Sequence, residues 1–484
     1  MLFWKGIYSA VPARSAWKEG VAVALPSPAQ PNPLETEPIH RLIPRYAVPT
    51  AMTLMVNCLY NLVDQIFVGQ GVGITATAAV NVAFPMVILV NALSLMLGDG
   101  CAANISLNLG RRNQAEADAT ISHTVTLLLV SGVVLGLACG LLAPQIAVLF
   151  GATDTALAEA ADYLRVLAWG LPFQLLCPAL TAVIRADGRP RYALRCMVLG
   201  TVINLVLDPI FIFPLRMGVV GAGIATVLGQ MVAGSLFLWD LRRFRTVHVR
   251  RSALRPTWAL TGRILALGFP SFLTQILTAL VQIVLNNLMR RCGAATVYGG
   301  DMALSVYGMM MKVYQISHAM FVGVSSAVSP INGYNFGARR YDRVLQTYRL
   351  AAAIALTISA VWFVVFQLFP RPIAGLFISG DPLYQDCVQH CFRLYMAAFF
   401  LYGLHLATAS FFQGIGRPLP SMAIPLVRQG LLLIPLALLL SVRLGLDGAL
   451  LAAPIADALT FALSLGLALR EFRSWKKMGW LSER

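Results

Sequence analysis

Five aspartates stand inside, or at the ends of, long apolar stretches of this 484-residue chain: Asp64, Asp99, Asp208, Asp301 and Asp457. An ionised carboxylate at membrane depth costs several kcal/mol, so such a site must offer a cation, a hydrogen-bonding cage or a proton. Asn204 and Asp208 are four residues apart and share one helix face, where an amide and a carboxylate can meet one ion or one water cluster. Asp64 lies in Asn61-Leu62-Val63-Asp64-Gln65, and Asp99 lies between Gly98 and Gly100. In the C-terminal half the basic groups at depth are Lys312, His318 and His405. Tyr307, Met311 and Tyr314 surround Lys312. They read either as core or as an adaptable wall for bulky, apolar cations, through polarisable sulfur and aromatic faces. Cys387, His390 and Cys391 have metal-ligating types but no fourth ligand. The eight cysteines otherwise read as small packing residues. No HExxH, GxSxG or P-loop occurs, so no enzyme is expected and ATP does not drive the protein directly. No cofactor is expected, and no metal beyond a possible transported Na⁺.

These groups need elements that can hold them at depth. The chain is 58% hydrophobic and only 12% charged, against about 25% charged in ordinary soluble domains. A soluble globular enzyme and a disordered chain are both excluded. A span uses ~20 apolar residues, and roughly 40 with its connection, which predicts about 12 helices. The apolar runs are continuous rather than alternating, which argues against a β-barrel. They fall at about 45–67, 79–106, 120–142, 161–184, 193–214, 219–240, 263–288, 302–330, 347–369, 389–412, 420–442 and 447–469. The expected fold class is an all-α integral membrane protein with twelve transmembrane helices.

The net charge of +16 comes from arginines dealt out between spans. Alternate connections hold Arg111 and Arg112, then Arg185, Arg189, Arg191 and Arg195, then the group from Arg242 to Arg263, then Arg339, Arg340 and Arg343, then Arg417. The opposite connections hold only Arg216, Arg290, Arg291, Arg371 and Arg443. This is a positive-inside pattern that places both termini in the cytoplasm, in the cytoplasmic (inner) membrane. It implies no nucleic-acid partner.

The chain also repeats itself. Asn108-Leu109-Gly110-Arg111-Arg112 answers Asn335-Phe336-Gly337-Ala338-Arg339, at an offset of 227. Gly188-Arg189-Pro190 answers Gly416-Arg417-Pro418 at 228, and Gly218 to Ala222 answers Gly445 to Ala449 at 227. Six spans per half is an even number, so the halves are parallel repeats that enclose a central cleft. The expected organisation is a flexible cytoplasmic tail over 1–40, an N-lobe over 41–245, a cytoplasmic linker over 246–262, a C-lobe over 263–470 and a C-terminal tail over 471–484. At repeat-matched positions, Asp64, Asp99 and Asp208 face Leu285, Ser326 and Leu436. That asymmetry points to a coupling-ion site confined to the first lobe.

Several runs together resemble one family. Tyr60 to Gly71, Ile184 to Tyr192, Asn204 to Phe213 and Gly218 to Gln230 are similar to the multidrug and toxic compound extrusion (MATE) family, in its MepA-like branch. The resemblance implies two six-helix pseudo-symmetric lobes around a central cleft. It implies Na⁺- or H⁺-coupled export of drug-like organic cations. It also implies an ion site at Asp64, Asn204, Asp208 and Thr226, to which the reading of the residues themselves adds Asp99. Ala182 departs from the pattern, since similar proteins often carry an Asn there. The substrate cavity is expected at Tyr307, Met311, Lys312, Tyr314, His318 and His405. The expected partners are small cationic molecules and membrane lipid, with the monomer as the working unit. The rival readings are a lipid-linked saccharide flippase of the same wider superfamily, which would want an arginine-lined cavity, and an intramembrane enzyme.

Overall fold

The structure, a computed structural model, describes residues 33–71, 74–150, 157–250, 257–375 and 382–481, with the side chains of 60–79, 81 and 374 outside that description. The first half contains α1 (Pro33–Thr36), α2 (Ile39–Gly71), α3 (Ile74–Gly110), α4 (Gln114–Leu141), α5 (Ala143–Leu149), α6 (Leu157–Ala186), α7 (Pro190–Ile212) and α8 (Gly218–Asp240). The second contains α9 (Trp258–Gly293), α10 (Gly300–Gly337), α11 (Tyr341–Leu368), α12 (Pro370–Gly375), α13 (Pro382–Tyr395), α14 (Tyr402–Gly414), α15 (Pro418–Pro425) and α16 (Ile434–Lys477).

Each of the twelve expected stretches is helical, with three departures. The tenth is broken: α13 and α14 meet at a 44° bend through the 3₁₀ turn Phe399–Leu401. No proline causes this bend. Phe399 is instead drawn into an aromatic cluster with Phe321, Phe366 and Tyr402. The eleventh passes from α15 into a π-helical segment, Leu426–Leu433, just after Pro425, whose missing N–H weakens the regular ladder. The eleventh and twelfth are separated by a corner at Gly445 (φ 59°, ψ −131°) inside α16. Among the described residues, eight helical stretches are long and apolar enough to cross a membrane, and the bent α13–α14 pair makes a ninth. One of the eight, Pro418–Lys477, contains two spans because it turns at Gly445. The more polar α2 and α10 complete the twelve.

Burial divides the bundle into lobes. One core joins Leu128, Leu164, Leu175, Ile184 and Phe237. A second joins Met289, Met310, Phe366, Phe392 and Leu450. A third cluster seats the start of α2 on the second lobe, with Leu42 and Tyr46 against Ile331, Phe411 and Trp475. The lobes meet in the half that carries both described termini, here the terminal end. A Cβ on Gly268 would lie 1.7 Å from Met96 O, and one on Gly100 would lie 2.0 Å from Ile264 O. Only glycine permits α3 and α9 to cross this closely.

The described residues nearest each terminus are held by contacts. Residues 1–32 lie outside the described residues, but 33–40 are ordered by contacts. Leu34 is buried, its carbonyl accepts from Asn335 Nδ2 at 3.2 Å, and Glu35 pairs with Arg340. At the other end α16 continues to Lys477, with Trp475 fully buried among Phe411, Phe472 and Trp480. Glu471 pairs with Arg417. The described start of the linker is tied to the first lobe. Asp187 accepts from the N–H groups of Arg245 and Thr246, and Asp118 accepts from that of His248. The periodicity of apolar residues cannot reveal such contacts, because polar side chains make most of them.

Candidate functional site

α7 starts at Pro190 and ends soon after Pro209. Its buried face carries Ala193, Cys196, Gly200, Asn204, Asp208 and Ile212, a stripe at helical spacing. Small residues let α8 close on that stripe: a Cβ on Gly200 would lie 2.7 Å from Gly229 O. Asn204 and Asp208 are consequently 3% and 0% exposed. Asn204 Nδ2 donates to Asp208 Oδ1 at 3.3 Å and to Thr226 Oγ1 at 3.2 Å. One amide thus links a carboxylate on α7 to a hydroxyl on α8. The buried Asn204 Oδ1 has no hydrogen-bond partner among the described residues, nor has Gln230 Oε1, one turn along α8 from Thr226. A buried oxygen left without a donor is costly, and a small hard cation or a proton-bearing water would satisfy it.

Asp64 stands on α2, which runs beside α7. By the helical rise it is roughly 10 Å from the far end of α2, at a depth comparable with Asn204 and Asp208. Its side chain lies outside the described residues. Ala182 is buried against Ala102 and Ala186, so it faces α3 and offers no oxygen. Asp99 does not join this cluster. Ser271 Oγ donates to Asp99 Oδ2 at 2.7 Å, and Arg185 Nη2 stands 3.9 Å from Oδ1. Gln413 Nε2 extends the chain of contacts to Ser271 Oγ at 3.2 Å and to Leu267 O at 2.9 Å. Asp99 is therefore part of a polar bridge between the lobes, nearer the terminal end.

The second lobe contains a cluster that brings together residues far apart in the chain. Arg428 sits on the π-helical segment, and its Nε lies 2.7 Å from Asp457 Oδ1 on α16. The ring of Tyr402 lies 4.8 Å from the guanidinium. Tyr314 shares a short hydrogen bond with Tyr402, and His405 meets the Tyr402 ring edge-on at 4.6 Å. His318 lies against Tyr314 at 5.6 Å, and Tyr307 against Tyr395 at 6.0 Å. Of the six residues expected at a substrate wall, Tyr307 and His405 are buried in the lobe. Tyr314 and Met311 pack against the same core, and His318 is half-buried.

Lys312 points elsewhere. It is exposed, as are Asp301, Ser305, Gly308 and Gln315, which follow one another at intervals of three and four on α10. A polar stripe of this kind faces water rather than lipid. Thr278 and Gln282 are likewise exposed on α9. All of these residues lie in the half away from the termini. Cys387 and Cys391 are separated by 4.0 Å between sulfurs, while His390 pairs with Asp447 at 2.6 Å. Among the described residues no group of His, Cys, Asp and Glu is arranged to hold a metal ion.

Comparison with known proteins gives the family. A family model described as MatE covers residues 49–210 and 270–439, more than half of the chain. The chain is 26% identical over 434 residues to the multidrug export protein MepA of Staphylococcus haemolyticus, covering 89% of this chain and 93% of that protein. It is 25% identical over 434 residues to an FAD transporter of Shewanella oneidensis, covering 88% and 93%. Among solved structures it is similar to an outward-facing multidrug resistance MATE family transporter of the MOP superfamily, with a TM-score of 0.84, 26% identity and coverage of 93% and 100%.

Proposed function

The chain belongs to the MATE family of multi-pass membrane transporters, and on that premise we propose that it is a secondary antiporter exporting drug-like organic cations in exchange for H⁺ or Na⁺. The observation that carries the coupling reading is the buried link Asp208–Asn204–Thr226 at 3.3 and 3.2 Å, with an amide oxygen still to be satisfied. Asp64, placed at a similar depth along α2, is proposed as the second carboxylate. The arginine-rich terminal end faces the cytoplasm of the cell by the positive-inside rule. The close crossings Gly268–Met96 and Gly100–Ile264 lie at that end, and the wet stripe with Lys312 and Gln315 lies at the other. Together they favour an outward-open state.

In the cycle, the outward-open protein takes an ion at Asp208 and releases its guest. The ion-loaded form turns inward, discharges the ion and binds a new guest. The cycle turns only if ion and guest prefer different states. A flippase reading gains nothing from Arg428, because that guanidinium is committed to Asp457. The test is efflux of ethidium from proteoliposomes, first under an imposed Na⁺ gradient and then under a pH gradient. Asp208→Asn is expected to insert normally and to lose gradient-driven export. Wild-type export by that variant sinks the ion-site assignment.

A further inference from the structure

The two repeat motifs meet at the terminal end. Asn108 to Arg112 closes α3, and Asn335 to Arg339 closes α10. The helices cross where they end: a Cβ on Gly110 would lie 2.0 Å from Tyr334 O, and one on Gly337 would lie 2.2 Å from Leu107 O. Each helix then ends in the same turn. The Asn113 N–H donates to Asn108 O at 2.9 Å, and the Arg340 N–H donates to Asn335 O at 2.8 Å. Such a turn needs a left-handed residue just before the donor, a position that favours glycine. Here it is Arg112 (φ 59°) in one turn and Arg339 (φ 60°) in the other.

The neighbouring loops supply an internal control. α6 and α14 end in the same way, with Arg189 N–H to Ile184 O at 3.1 Å and Arg417 N–H to Phe412 O at 2.8 Å. Their left-handed residues are glycines, Gly188 (φ 86°) and Gly416 (φ 78°). The chain thus places glycine at two of four equivalent turns and accepts backbone strain for arginine at the other two. The remaining non-glycine residue in this conformation, among those described, is Arg216 at the far end. Strain retained at two repeat-related positions points to a use for the side chain.

The two turns border an open pocket of about 260 Å³ lined by Glu35, Arg111, Arg112, Tyr334, Arg339 and Arg340, whose four arginines are exposed. Its one carboxylate, Glu35, bonds Arg340 at 2.5 Å and Tyr334 at 3.0 Å. Two helix C-termini contribute about half a negative charge each, which leaves the lining net positive by about two. Burial lowers the pKa of Arg111, with Glu116 acting against it. An incoming oxyanion would relieve that cost. Guanidinium forks match phosphate oxygens in geometry, and a basic pocket between helix ends at the cytoplasmic face lies at the level of lipid headgroups.

We propose that this cavity binds a phosphate-bearing anion, and that its occupancy clamps the two lobes together at the terminal end. A free phosphate and an anionic lipid headgroup share the chemistry required. The clamp follows because the lining comes from α3 of one lobe and α10 of the other.

The test uses the full chain. Thermal unfolding in neutral detergent is followed with inorganic phosphate against sodium chloride at equal ionic strength, and in phosphatidylcholine nanodiscs with and without phosphatidylglycerol. The melting temperature is expected to rise saturably with phosphate, with phosphatidylglycerol, or with both, and not with chloride. A response to phosphate alone assigns a soluble anion, and a response to lipid alone assigns a headgroup. The double variant Arg112→Gly with Arg339→Gly removes the strain. It should be at least as stable as the wild type without anion, yet bind at least tenfold more weakly. Arg111→Gln supplies a single-site check with the same expected direction. Hydrogen exchange in both turns should slow on binding, and slowing in only one would overturn the clamp. No response of the wild type to either probe, or an undiminished response in the variants, would overturn the site. The readout is binding, so its outcome is separate from that of the efflux experiment.

Discussion

Removing one partner of the Arg428–Asp457 pair should destabilise the protein more than removing both. The charged groups stand 2.7 Å apart, with side chains 8% and 5% exposed. At that burial each ion has given up most of its hydration, and the partner is what compensates it. Asp457→Asn leaves the guanidinium uncompensated, at a cost of about 3–5 kcal/mol. Arg428→Met leaves the carboxylate in the same position and also removes the contact with the Tyr402 ring at 4.8 Å, worth on the order of 2 kcal/mol when desolvated. The double variant Arg428→Met with Asp457→Leu deletes both charges and keeps the volume, and such replacements are neutral or stabilising by about 1–4 kcal/mol. The two single losses together should therefore exceed the double loss by at least about 6 kcal/mol, measured as a double-mutant cycle of unfolding in detergent. The reasoning fails if Asp457→Asn lies within about 1 kcal/mol of the wild type, or if the double variant is as unstable as the worse single. The folded double variant should still export. A folded but inert double variant would move the pair from scaffold into mechanism.

Three other outcomes follow from the geometry. Thr226→Val keeps the shape of the side chain but removes the hydroxyl that Asn204 bonds. A hydrogen bond in a charged site is worth about 1.5 kcal/mol, so half-saturation by the coupling ion should rise about tenfold in proteoliposome efflux. Gly268→Val puts carbon atoms where Met96 O stands. It should pry the lobes apart at the terminal end, read as faster thiol labelling of a cysteine introduced there, and unchanged labelling would refute it. Trp475→Ala empties a fully buried site and should cost about 3–5 kcal/mol in thermal unfolding.

Much of this fold could be read from the sequence because lipid imposes simple rules. Continuous apolar runs gave the spans, and the repeated Asn108 and Asn335 motifs gave the two halves. What stayed hidden depended on contacts between distant elements. The break between α13 and α14 has no proline and follows from where Phe399 packs. Leu34 and Trp475 are buried in stretches that look like polar tails, beside the pairs Glu35–Arg340 and Glu471–Arg417. At the candidate site, Asn204, Asp208 and Thr226 come together as their spacing and the family resemblance implied, but Asp99 does not. Depth explains the difference. By the helical rise, Asp99 lies roughly 16 Å from the terminal end of α3, while Asp208 lies about 27 Å along α7 from that same end. Asp457 was visible as an acid in a span, and Arg428 stands in another. Only the folded chain shows that they are one pair.

That pair explains how two copies of one repeat can divide the work. Both lobes bury an aspartate on an inner helix. The first sets Asp208 beside an amide and, through it, a hydroxyl. The second sets Asp457 against a guanidinium at 2.7 Å. A proton or Na⁺ competing for Asp457 has to displace a buried cation, at several kcal/mol. One arriving beside Asn204 meets an amide oxygen that has no hydrogen-bond partner among the described residues. The difference favours the first lobe for the ion exchange proposed here and the second for a stiff body against which the first can move. The seam fits that division. The polar bridge from Asp99 through Ser271 to Gln413 crosses it with Arg185 3.9 Å from Asp99, looser than the Arg428–Asp457 pair, as the lobe motion proposed here requires.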